Sequence, residues 1–233
     1  GVPLEMADEF TSWVRGVLEV GLTDPKVRFE SRLKILNFFQ TQLEDRKKNP
    51  REDDLITDLL NSGDKYPVTD QYVLGVCNLM LVAGIDTTWS AIGSSLWHLA
   101  GHPEHCEQLR ANPDLWPTAV EELLRAYSPV TMARIVDRDT EFQGCPMKAG
   151  DRILMAFPAA NRDPRQFEHP DEVILDREHN RHVAFGSGIH RCAGSNLARL
   201  ELRVALQVWL ERIPEFSLVD PAAVTWAGGQ VHG

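Results

Sequence analysis

The chain has 233 residues, 43% of them hydrophobic and 25% charged, a balance that suits a folded water-soluble domain and excludes a disordered segment. Its 24 Lys and Arg against 34 Asp and Glu leave a net charge of −10, which lacks the basic footprint of a nucleic-acid binder. Four cysteines, at 77, 106, 145 and 192, form no CxxC pair, so neither a disulfide framework nor a thiolate zinc site is implied, and a reducing, cytoplasmic compartment is expected.

The first residues, Gly1-Val2-Pro3-Leu4-Glu5-Met6, carry no basic stretch before an apolar run and do not read as a secretory signal. The start at Gly1 points to a processed or partial sequence. An amphipathic helix is expected over residues 3–20, with Phe10, Trp13, Val14, Val17 and Leu18 on one side. A second covers 25–48 and stops before Asn49-Pro50. A short third covers 52–60, and Gly63 and Pro67 separate it from a long apolar helix of about 69–100. From residue 71 to 101 the only charge, with His98 neutral, is Asp86. That run could span a bilayer by length. Asn78, Asp86, Thr87, Thr88, Ser90, Ser94 and Ser95 interrupt it, and an acid at mid-membrane is costly. A helix buried in a soluble core is therefore expected.

Short helices at 103–111 and 117–127 each open with Pro. After Ser128-Pro129 the texture changes to short strands at 130–136, 140–143 and 152–157, with a turn at Lys148-Ala149-Gly150-Asp151. Residues 161–181 are polar, rich in Pro and Asp, and expected to be irregular. Residues 193–212 form a last amphipathic helix. Thr225-Trp226 and Gly228-Gly229 point to a terminal hairpin. The fold class is mainly α with a minor β-sheet, with no linker dividing residues 1–233.

Phe185-Gly186-Ser187-Gly188-Ile189-His190-Arg191-Cys192-Ala193-Gly194 sets three glycines around one cysteine, directly before a helix. Glycines permit positive φ and close backbone approach to a flat ligand. A cysteine at a helix N-terminus lies near the positive end of the dipole, which favours thiolate. The loop suits a thiolate ligand held against a planar group. Two alternatives stay open: an inert buried cysteine in a glycine-rich turn, and a nucleophilic cysteine, for which no Asp or Glu partner is evident.

The pattern Phe-x-x-Gly-x-His-x-Cys-x-Gly, filled by Phe185, Gly188, His190, Cys192 and Gly194, resembles the haem-binding loop of the cytochromes P-450. The resemblance covers almost the whole chain and implies the C-terminal portion of that fold, in the bacterial soluble type. It implies haem b (iron protoporphyrin IX) with Cys192 as axial thiolate, which pushes electron density onto iron. Phe185 would pack beside the sulfur, and Gly188 and Gly194 would let the backbone approach. Ala83-Gly84-Ile85-Asp86-Thr87-Thr88, a weak stretch inside the long helix, resembles the oxygen-activation motif. There Thr87 would hydrogen-bond dioxygen, Asp86 would relay protons, and Ala83 and Gly84 would make room beside the cofactor.

By the same resemblance, Glu122 and Arg125, three apart on one helix face, form a Glu-x-x-Arg structural network, with Arg177 as its candidate third member. Arg134 and His190 would pair with the haem propionates, and His182 would be structural. Leu81, Val82, Ala83, Val130, Thr131, Gln230 and Val231 would face a small apolar substrate. The implied reaction is monooxygenation, with O2 as co-substrate and electrons from NAD(P)H through a reductase and a ferredoxin- or flavodoxin-type donor. Arg191, Arg199 and Arg203 outnumber Glu201 near the cysteine and read equally as a docking patch for an acidic donor or a solvated helix face. A peroxide-driven peroxygenase fits less well, because Asp86 and Thr87 would then lack a task. A haem-binding protein without turnover, or an inactive fragment, is the remaining alternative.

Overall fold

The computed structural model describes residues 3–64, 67–226 and 231. The chain divides into two units, Gly1–Asp86 and Thr87–Gly233. In the first, a 3-10 turn at Leu4–Met6 leads into α1 (Ala7–Leu18), so the regular helix starts later than the expected residue 3. The next helix, α2, spans Pro25–Lys48 as the sequence predicts. Asp24 sets its start: the carboxylate accepts from the Lys26 and Val27 N–H groups, and Pro25 takes the first-turn place where no N–H is needed. Ser31, Ile35, Phe39 and Leu43 are buried at four-residue spacing along one face. Phe10 packs edge-on to Trp13 and Phe38, with centroids 5.3 and 5.0 Å apart. The third helix, α3 (Leu55–Asn61), begins three residues later than expected. Asp53 sits at φ 51°, which ends any helix before it, and Asp54 caps the one that follows by accepting from Thr57 N–H at 3.1 Å.

The long helix α4 spans Asp70–Gly101. By length and composition it could cross a membrane. The expected burial holds for Ala91, Ser94, Ser95, His98 and Leu99, whereas Tyr72, Leu79, Met80 and Trp89 are exposed. On that half Val73 and Cys77 are buried in the first unit's core, with Leu74, Leu81 and Val82 packed partly buried against it.

In the second unit, α5 (Pro103–Ala111), α6 (Trp116–Ala126) and α8 (Ser195–Arg212) enclose Leu109, Ala119, Val120, Leu123, Leu202, Leu206 and Leu210. Strand β1 (Met132–Ile135) pairs antiparallel with β4 (Arg152–Met155), with Arg134 opposite Ile153. Between them, β2 (Thr140–Phe142) pairs with β3 (Cys145–Met147), a strand the sequence pattern did not announce. Its turn is Gln143-Gly144, both at positive φ (51° and 81°), the geometry of a type I′ hairpin. The strand expected to reach residue 157 ends at Met155, because Phe157–Ala160 forms a helical turn, α7, with Pro158 in its first positions. Residues 161–187 contain no regular helix or strand, as the composition of 161–181 implies for that part. Of the expected terminal hairpin, residues 227–230 lie outside the described residues. Trp226 is not in a strand and packs edge-on to Trp97 (centroids 5.2 Å apart), and Val231 makes one antiparallel bridge to Val130.

Where α4 gives way to α5, His98 is 2% exposed. Its Nδ1 lies 2.8 Å from Tyr127 Oη and its Nε2 2.8 Å from His105 Nδ1. Burial, then the charges of His102 and His105, push its pKa down to about 3. A base whose pKa falls on folding contributes stability that is complete above the ordinary value of 6.5 and lost as pH falls toward about 3. His98→Leu is therefore expected to flatten the fall in Tm between those pH values while lowering Tm at neutral pH, as read by thermal unfolding across pH. An unchanged acid slope would exclude His98 as its source.

Candidate functional site

The loop before α8 is shaped by two left-handed residues, Gly186 (φ 69°) and Gly188 (φ 67°), where any larger residue would be strained. A Cβ added at Gly188 would meet nothing within 4 Å, so the space beside it is open. The chain makes a 3-10 turn at Gly188–His190 and returns so that Cys192 N–H donates to Phe185 O at 2.9 Å. Helix α8 starts at Ser195, slightly later than expected, and leaves Cys192 just ahead of its first turn. Cys192 is exposed, whereas Cys77 and Cys106 are buried. This does not fit the inert buried cysteine. A Cβ on Gly194 would lie 3.9 Å from Cys192 Sγ, an ordinary contact, so the protein alone does not demand glycine there. His190 and Arg191 are exposed.

Behind this loop lies a buried ionic network. Glu122 and Arg125 on α6 are both 0% exposed. Glu122 Oε1 accepts from Arg125 Nη2 (2.8 Å) and Ile174 N–H (2.9 Å). Its Oε2 accepts from Arg125 Nε (2.8 Å), Arg177 Nε (3.0 Å) and Asn180 Nδ2 (3.0 Å). Arg125 Nη1 donates to the carbonyls of Asn161 and Pro170, and Nη2 to that of Glu172. Asn161 Oδ1 accepts Val183 N–H at 2.8 Å, which carries the network to within two residues of Phe185. The irregular segment thus gets from α6 the hydrogen bonds it cannot make with itself.

A second cluster was not foreseen. Glu121 accepts from Arg199 Nε and Nη2 and from His182 Nε2 at 3.0 Å, while Ala184 N–H donates to His182 Nδ1. Burial pushes the Glu121 carboxyl up, but the hydrogen bonds from His182 and Arg199, with their charges, outweigh it and hold its pKa at about 2. The Arg199 guanidinium lies 4.5 Å from the centroid of the Phe185 ring. Arg199 is therefore not a free member of a basic patch, which corrects the expectation for it. The only hint in sequence was its place one and a half turns into the helix after the cysteine.

The remaining candidates are dispersed. Arg134 is exposed on β1, and its Nη1 donates to Ala133 O. In the first unit Asp86 is 9% exposed. Burial, then the charge of Glu19, raises its pKa against the opposing pull of Arg15. Leu81 and Val82, expected to face substrate, pack partly buried against the first unit's core. Ala83 and Gly84 are exposed. Thr87 in the second unit is partly buried, as are Val130, Thr131 and Val231; Gln230 lies outside the described residues.

Among the described residues no group of three or more His, Cys, Asp or Glu could hold a metal ion by itself. One exposed cysteine sulfur with open backbone beside it suits a metal whose other ligands come from a flat organic group, so the residues present fit haem.

A family model described as Cytochrome P-450 matches residues 22–218. A probable cytochrome P-450 127A1 of Sinorhizobium fredii is 36% identical over 233 residues, covering 100% of this chain and 56% of that protein. A biotin biosynthesis cytochrome P-450 of Bacillus subtilis is 35% identical over 229 residues, covering 94% and 57%. Among solved structures, the Bacillus subtilis bacillaene polyketide synthase cytochrome P-450 PksS superposes with a TM-score of 0.92 at 33% identity, covering 100% of this chain and 61% of that one. The chain thus spans a little over half the length of the relatives it matches.

Removing one partner from a fully buried ion pair strands the other charge. Glu122→Ala is expected to cost roughly 3–5 kcal/mol, read as a loss of cooperative unfolding or a strongly reduced denaturation midpoint. A near-parental midpoint would mean the five donors find other acceptors.

Proposed function

Since the chain belongs to the cytochrome P-450 family, we propose that it is the thiolate-bearing portion of a bacterial haem monooxygenase. The exposed Cys192, tethered through its N–H to Phe185 O, carries this reading. Haem, when bound, supplies the activation of dioxygen. One oxygen atom enters a substrate C–H bond, and the other leaves as water with two electrons and two protons. NAD(P)H supplies the electron pair through a ferredoxin- or flavodoxin-type donor.

The chain's own groups have separate tasks. Cys192 Sγ would hold the haem iron, and its negative charge would raise electron density at the metal. Arg134 and His190 hold the cofactor's carboxylates; a guanidinium does so with two parallel N–H bonds. Asp86, whose raised pKa brings proton uptake nearer neutrality, passes protons inward. Thr87 presents its hydroxyl beside it in sequence and orients the oxygen to be protonated. Val130, Thr131 and Val231 would form an apolar wall, which suits a small apolar organic substrate. We read α4 as an interior helix of the full-length fold in a cytoplasmic enzyme, since Asp86 in its middle is costly in lipid.

Reduced protein under carbon monoxide is expected to show the strongly red-shifted Soret band of thiolate ligation, and Cys192→His to lose it. A parental spectrum without that band would overturn the assignment. Thr87→Ala is expected to keep consuming NAD(P)H while forming less product. Asp86→Asn is expected to slow turnover by on the order of 10²-fold, with the deficit lying in proton-dependent steps as read by solvent isotope effects. Parental coupling in both variants would remove the pair from the mechanism.

A further inference from the structure

The two glutamates side by side on α6 do different things. Glu122 is sealed in the interior, whereas the Glu121 and Arg199 side chains keep 29% and 26% of their surface exposed. Glu121 nevertheless gathers the start of the cysteine loop. It holds His182, and His182 Nδ1 accepts the N–H of Ala184, next to Phe185. It also holds Arg199 through two N–H groups, and the Arg199 guanidinium covers the Phe185 ring. Phe185 in turn accepts the Cys192 N–H. Four contacts therefore join a charge pair to the residue that carries the sulfur.

Building on the haem-thiolate reading, we propose that Glu121 and Arg199 are positioning residues that fix Phe185 and set the reduction potential of the iron held by Cys192. The hydrogen bond that Arg199 donates to Glu121 raises its pKa, burial opposes it, and the charges of Glu121 and Cys192 add to it. The guanidinium covers the ring of the residue whose carbonyl holds the Cys192 N–H, which places its charge beside the cysteine loop. Reduction adds one negative charge to the iron–thiolate pair. A guanidinium nearby stabilises the reduced form and a carboxylate opposes it. A purely structural brace would act on both states alike. The charge pair instead makes opposite demands: losing the guanidinium leaves Glu121 uncompensated and lowers the potential, and losing the carboxylate leaves Arg199 uncompensated and raises it.

The test is a spectroelectrochemical titration of the full-length, haem-loaded protein and its variants, with the reduced carbon monoxide spectrum recorded for each. Arg199→Gln is expected to lower the potential and Glu121→Gln to raise it, each on the order of tenfold in the ferric–ferrous equilibrium, which is 59 mV for one electron. Arg199→Lys, which keeps the charge but loses the flat fork, is expected to stay near the parent. Should Arg199→Gln not retain haem, Glu121→Gln decides: a raised potential supports the proposal, and an unshifted one overturns it. Shifts of the same sign in both Gln variants would also overturn it, since removing opposite charges must move the potential in opposite directions. Absence of the thiolate band in the parent would overturn the haem-thiolate reading itself, whereas a parental band with unshifted variants overturns only the role of Glu121 and Arg199.

Discussion

A single buried carboxylate organises the second unit. Glu122 has given up all contact with water, which costs several kcal/mol for an ion unless its lone pairs are met. Five donors meet them, from Arg125, Ile174, Arg177 and Asn180. Most of these lie in a stretch without secondary structure, so the carboxylate supplies an order that the stretch lacks by itself. Arg125 continues the chain of contacts through Asn161 to Val183. The cysteine loop therefore emerges from a base already fixed by electrostatics.

Consecutive helix residues point about 100° apart and cannot share a partner. Glu121 and Glu122 use that divergence. One faces the irregular segment and the other faces α8, so a single turn of α6 braces the approach to Cys192 from two directions. An exchange of either residue for the other's environment would fail, since one site supplies donors on all sides and the other leaves its carboxylate partly in water.

The sequence disclosed elements whose ends carry local chemistry. Asp24-Pro25 and Asn49-Pro50 bracket α2 where the spacing placed it. The glycine-rich loop and its cysteine were legible because each residue answers a backbone or ligand demand visible in one dimension. Strand β3 was hidden because three residues, one of them Pro146, give no alternation to read. The start of α3 depended on the φ of Asp53, which composition does not encode. Arg199 was misread for a different reason. Its partner Glu121 is 78 residues away, and a helix bearing several arginines looks the same whether they are free or paired.

The β2–β3 hairpin offers a practical opening. Its residues are exposed nearly throughout, and its two-residue turn holds itself in shape by backbone geometry. Chain inserted between tightly closed strand ends adds little entropy cost per residue. A fluorescent reporter or affinity handle spliced at Gln143-Gly144 would ride on the surface and leave the ionic lattice under the sulfur undisturbed.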